Sequence, residues 1–92
     1  MRRAARVDAN QSAIVSSLQA AGASVEVIGL PVDLLVGFRG VTLLIEVKNP
    51  KSQYGKAGAN KNQANFMQSW RGGPVALVDS PEAALRAIGV VL

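Results

Sequence analysis

Two apolar runs stand either side of Gly37-Phe38-Arg39-Gly40, and that pairing constrains the fold most. Val32 to Val36 and Val41 to Val47 are dominated by Val, Leu and Ile. The first and last of these residue types favour a pleated, half-buried surface. The glycine-flanked stretch between the runs reads as a hairpin turn. A turn centred on Phe38 and Arg39 pairs Gly37 with Gly40, Leu35 with Thr42 and Asp33 with Leu44. Cross-strand partners point to the same side of a sheet, and side chains alternate along each strand. Leu34, Val36, Leu43, Ile45 and Val47 then share a face that must be buried. Asp33, Glu46 and Lys48 share the other, with the two acids as diagonal neighbours. The turn's parity is critical, because an odd-length loop would carry Asp33 to the opposite face.

The flanking segments supply helices and two more strands. Residues 8 to 21 read as an amphipathic helix, with Ile14, Leu18 and Ala21 at helical spacing. Asp8 followed by Gln11 fits a capping box, and Gly22 a helix end. Ala23 to Ile28 is a short strand. Asn49 to Asn62 is polar and rich in Gly and Lys, and reads as a loop. Gln63 to Trp70 is a second helix, its start open to a few residues earlier, stopped by Gly72-Gly73. Pro74 to Val78 is a fourth strand. Ser80-Pro81 opens a last helix that runs to about Ile88, with Ser80 as N-cap and Pro81 at the first helical position. The predicted order is α-β-β-β-α-β-α. Three strands form an antiparallel meander, and a fourth returns parallel after a helical crossover. The expected architecture is an α/β fold with one mixed four-stranded sheet flanked by helices, in a single domain covering residues 1–92.

Composition narrows the chemistry. The 92 residues include no cysteine and no histidine. That removes Cys/His zinc sites, disulfides, thiol nucleophiles and histidine general bases. No stretch approaches the roughly 20 apolar residues that span a bilayer, and no signal-length apolar run follows the first arginines. The expectation is a soluble, cytoplasmic protein with no membrane partner. The formal net charge is +4. Between Val47 and Val78 there is no acidic residue, while Lys48, Lys51, Lys56, Lys61 and Arg71 lie there. Arg2, Arg3 and Arg6 form a second basic group. Such one-sided segments favour a polyanion, and a solvated surface is the rival reading. Gly55-Lys56-Ala57-Gly58 lacks the Walker spacing and context, so no nucleotide cofactor is expected.

Two carboxylates on one face suit a hard divalent cation such as Mg²⁺. A lysine beside them stabilises charge or orients a water, a set suited to phosphodiester hydrolysis. Acids set into apolar strands are costly unless compensated. A plain salt bridge with Lys48 compensates them as well as a metal does, and residue type alone leaves both readings open.

The spacing Pro31-x-Asp33…Glu46-x-Lys48 resembles that of the PD-(D/E)XK nuclease superfamily. The order of elements resembles the superfamily's restriction-endonuclease-like αβββαβ core over roughly residues 4–88. The likeness is greatest to its minimal single-domain branch: VRR-NUC nucleases and related phage-borne or archaeal Holliday-junction-resolvase-like enzymes. The resemblance implies that Asp33, Glu46 and the Val47 backbone carbonyl bind Mg²⁺, with Mn²⁺ as a substitute. Lys48 would position or activate the attacking water. Asp8 would complete the metal site where the family commonly has Glu, with helix capping as its rival role. Gln63 would face the site from the second helix, with an exposed helix residue as the rival. Lys51, Tyr54, Lys56 and Lys61 would line the DNA path, joined by Arg2, Arg3 and Arg6. Phe66 and Trp70 read as core or dimer contacts, with base stacking as the lesser alternative.

The implied activity is a metal-dependent DNA endonuclease on branched or structured DNA such as four-way junctions. It would act as a homodimer in the cytoplasm of a bacterium or a phage-infected host. A catalytically silent DNA-binding or assembly subunit with the same fold is the alternative, and RNA cleavage a weaker third.

Overall fold

A computed structural model describes residues 9–48 and 61–92. Helix α1 (Ala9–Ala20) leads into strands β1 (Ser24–Val27), β2 (Leu34–Phe38) and β3 (Val41–Val47). Helix α2 (Lys61–Ser69), strand β4 (Val75–Val78) and helix α3 (Pro81–Ala87) follow. The strands form one four-stranded sheet in the order β1-β2-β3-β4. β1, β2 and β3 are antiparallel, and β4 adds parallel to β3 after the α2 crossover. The architecture is therefore α/β with a mixed sheet, as the apolar pattern predicts.

Helix ends follow local chemistry. α1 closes on Gly22, whose φ of 103° suits a residue without Cβ. The Ala23 amide donates back to the Leu18 carbonyl and the Gly22 amide to that of Gln19, so the last carbonyls are satisfied. At the start of α3, Ser80 Oγ accepts from the Ala83 amide at 3.0 Å, with Pro81 next in the chain.

The sheet's inner face carries the core. Ile14 and Leu18 of α1, Leu34 and Val36 of β2, Ile45 of β3 and Ala84 of α3 are fully buried there. Leu43 and Val78 are nearly so. α1 and α3 also contact each other across this face. Each fully buried Leu, Ile or Val contributes about 1.5–3 kcal/mol, so this layer dominates stability.

The hairpin differs from expectation in register. Phe38 pairs with Val41, Gly37 with Thr42, Leu35 with Leu44 and Leu34 with Ile45. The turn is centred on Arg39 and Gly40, not on Phe38 and Arg39. Both central residues have positive φ, 53° and 82°, the geometry of a type I′ turn. That turn's twist matches the strands, and its need for positive φ selects Gly40 for the second position. Arg39 accepts the same region and rests its guanidinium 4.8 Å from the centre of the Phe38 ring. Every expected partner thus moves by two residues. A shift of two preserves faces, so the inner set stands as predicted while its pairing does not.

Other boundaries shift slightly. β2 begins at Leu34 rather than Val32, although Val32 is fully buried. The second helix begins at Lys61, so Lys61 and Asn62 belong to it and not to the preceding loop. Trp70 lies just past α2, is 44% exposed and is not a core residue. Its ring stands 5.1 Å from that of Phe66 and its indole donates to the Gly73 carbonyl at 2.9 Å. Together with Leu35, Thr42, Leu44, Gly73 and Pro74 it lines a cavity of about 270 Å³ over the outer face. Among the described residues no helix is long and apolar enough to cross a membrane.

Candidate active site

Asp33 sits one residue before β2, where the β1–β2 loop closes. Its carbonyl accepts from the amides of Ile28 and Gly29, which fixes its backbone. Extending the β2–β3 ladder by one step from Leu34 and Ile45 places Asp33 directly opposite Glu46. The sequence-based register puts Leu44 there instead and the acids on a diagonal. Facing residues of such a ladder stand roughly 4.5–5.5 Å apart at Cβ, nearer than diagonal ones. Asp33 Oδ2 also accepts from the Val47 amide at 2.8 Å. At this point β2 has ended, and the carboxylate supplies the acceptor that its backbone would have given. An ionised carboxylate has about four acceptor positions, so this bond leaves capacity for a cation.

Glu46 is the one charged residue among the buried ones described, at 4% exposure. Lys48, two residues on and on the same face, places Nζ 3.7 Å from Glu46 Oε2. Its side chain keeps 20% exposure, against 6% for that of Glu46. The acid is therefore the deeper partner and the lysine the more exposed one. Along β3, Lys48 donates its amide to the Val78 carbonyl on β4, whereas Val47 donates toward Asp33. Backbone groups alternate edges along a strand, so the Val47 carbonyl also faces the β2 side, beside both acids.

The far edge of the same strand end is closed by Asn10. Its Nδ2 donates to the carbonyls of Lys48 at 3.0 Å and Asp79 at 3.1 Å. Asn10 thereby ties the first turn of α1 to the ends of β3 and β4. Nothing local in the sequence singles it out, because no such signal links positions so far apart in the chain.

The remaining candidates divide by position. Asp8, Arg2, Arg3, Arg6, Lys51, Tyr54 and Lys56 lie outside the described residues. Lys61 and Gln63 fall in the first turn of α2, as backbone positions. Among the described residues, no cluster of three or more acids suited to a metal ion occurs. The donor set is thus two facing carboxylates and a backbone carbonyl. That set fits Mg²⁺, which usually keeps several waters and takes one or two carboxylates plus substrate phosphate. It lacks the soft or imidazole ligands that zinc or copper would favour. Compared with known protein families, curated proteins and solved structures, the chain matches none.

Proposed function

We propose that this chain is a Mg²⁺- or Mn²⁺-dependent DNA endonuclease with a restriction-endonuclease-like core of the PD-(D/E)XK kind. The observation that carries the reading is the gathering at one strand end: Asp33 bonded to the Val47 amide at 2.8 Å, next to Glu46, and Lys48 3.7 Å from Glu46. Asp33, Glu46 and the Val47 carbonyl would hold the ion. When bound, that ion supplies Lewis acidity and a lowered pKa for water. Glu46 is held in a buried position that keeps its carboxylate oriented. Lys48 projects from the same face and offers fixed positive charge where negative charge grows on a phosphate. It also holds the attacking water by hydrogen bonding. Asp33 combines two tasks, since the Val47 amide that it accepts from also fixes its rotamer.

The basic segments support a nucleic-acid substrate. The stretch with Arg2, Arg3 and Arg6 joins the described chain at residue 9, and the stretch with Lys51 and Lys56 leaves it at residue 48. Asn10 and Lys48 are hydrogen-bonded, so both stretches attach at the site end of the sheet. Contacts of that kind go to phosphates and fix register without reading sequence. A two-fold homodimer would present two such sites to opposing strands of a branched substrate.

The Lys48–Glu46 ion pair and the Asp33–Val47 hydrogen bond favour one rival. In it the same trio is purely structural, and the chain is a catalytically silent DNA-binding or assembly subunit. Purified protein incubated with plasmid and with a synthetic four-way junction separates the two. Nicking or junction cleavage with Mg²⁺ or Mn²⁺, abolished by EDTA, is the expected result. Binding without cutting in either metal would favour the silent subunit, and neither binding nor cutting would remove both readings.

A further inference from the structure

The end of β3 is held by side chains as well as by its pairing with β4. On one edge the Asp33 carboxylate accepts from the Val47 amide at 2.8 Å, where β2 has run out. On the other edge the last described bond between β3 and β4 runs from the Lys48 amide to the Val78 carbonyl. There the carbonyls of Lys48 and Asp79 are both acceptors, and neither can satisfy the other. The Asn10 amide carries two N–H donors on one nitrogen and serves both, at 3.0 and 3.1 Å. It acts as a last rung of the ladder, delivered from α1.

We infer that Asn10 is a positioning residue for the candidate metal site, acting through the backbone of Lys48 and its neighbour Val47. This inference rests on the nuclease reading. The reasoning is geometric. Val47 supplies the proposed carbonyl ligand and Lys48 the ammonium, and both stand at the end of the described β3–β4 pairing. Without the Asn10 rung, the last hold on the β4 side is the bond from the Lys48 amide to Val78. The Val47 carbonyl then loses its fixed aim at the space between Asp33 and Glu46. Groups that orient metal ligands from outside the ligand set typically matter about 10- to 100-fold in affinity or activity. Asn is suited where Asp and Ser are not. Asp would oppose two carbonyl oxygens with a third acceptor, and Ser is too short and has a single O–H.

The test compares wild type, Asn10→Ala, Asn10→Ser, Glu46→Gln and Val25→Ala. Val25 packs against the core from β1 and serves as a control for general loss of stability. Mn²⁺ affinity is measured by calorimetry or by the Mn²⁺ spin-resonance signal, alongside melting temperature and single-turnover cleavage. Ser is favourable near a helix start, so Asn10→Ser keeps the comparison alive if Asn10→Ala folds poorly. The expected result is a loss of Mn²⁺ affinity of about 10- to 100-fold in both Asn10 variants, with DNA affinity unchanged. Val25→Ala, even with an equal or larger fall in melting temperature, should bind Mn²⁺ as wild type does. Wild-type Mn²⁺ affinity in both Asn10 variants, with binding lost in Glu46→Gln, would overturn the positioning role and leave the nuclease reading standing. Absence of Mn²⁺ binding in wild type, or its retention in Glu46→Gln, would overturn both.

Discussion

The two faces of this sheet are made from the same strands and obey different rules. On the inner face, Leu34, Val36 and Ile45 are fully buried and meet Ile14 and Leu18 of α1. On the outer face Leu35 and Leu44 are half-buried, Thr42 is exposed and Leu77 is 55% exposed. Yet this loosely covered face buries a carboxylate, Glu46, at 4%. The contrast is sharpest between adjacent residues: Ile45 closes the core and Glu46 belongs to the candidate site. Apolar burial stabilises wherever it occurs, whereas a buried acid costs unless something compensates it. The inner face is therefore where the fold is held, and the outer face is where stability has been given up.

The largest effects should come from that adjacent pair. Ile45→Ala should lose about 3 kcal/mol, a large share of what a domain this small possesses, as read by urea or thermal unfolding. Its cleavage should persist wherever it stays folded. On the proposed nuclease reading, Glu46→Gln should do the reverse, folding well and cleaving roughly a thousandfold more slowly, because a bound metal would contribute several kcal/mol. If both variants fail in the same assay, the division between faces is wrong.

Asp33 sharpens the comparison, because it has one task on each side of the divide. Asp33→Asn retains an oxygen for the Val47 amide and should melt near wild type, yet lose metal-dependent cleavage. Asp33→Ala removes both and leaves that amide unsatisfied, at a cost of about 1–3 kcal/mol. Equal melting temperatures for the two variants would contradict the bond at 2.8 Å.

Smaller effects belong to the outer cover and the turn. A Cβ at Gly72 would overlap the Trp70 ring at Cζ2, so Gly72→Ala must move the indole. The ring is half out in solvent and can swing, which keeps the expected loss near about 1 kcal/mol. Emission from the single tryptophan should shift as the indole leaves its place. Arg39→Asn should stabilise by roughly a few tenths of a kcal/mol. Asn tolerates positive φ, and the exposed guanidinium stacked on Phe38 holds only weakly. A measured destabilisation above about 1 kcal/mol would mean that stacking on Phe38 outweighs the strain.

Much of the inner face is legible in the sequence, and the reasons are local. Alternation in Leu34–Val36 and Leu43–Val47 marks the buried set, and Gly22, Ser80 and Pro81 mark helix ends by their backbone chemistry. The centre of the turn is not legible from glycine spacing, because Gly37 and Gly40 bracket Phe38-Arg39 symmetrically and so point to the wrong pair. Only the demand for positive φ at both central positions selects Arg39-Gly40. The resulting shift is even, so Asp33, Glu46 and Lys48 stay on one face and the candidate trio survives an incorrect register. The bonds that hold the strand end have no signature in the sequence. Asn10 reaches Lys48 across 38 positions, and Asp33 reaches Val47 across 14. Neither separation is periodic, and both follow only once the sheet is assembled.

The most direct test is a crystal of the wild-type protein soaked in Mn²⁺ and measured for anomalous scattering. The account predicts one strong peak between the carboxylates of Asp33 and Glu46, within coordination distance of the Val47 carbonyl. A map without density there, in which Lys48 keeps its ion pair with Glu46, would contradict it.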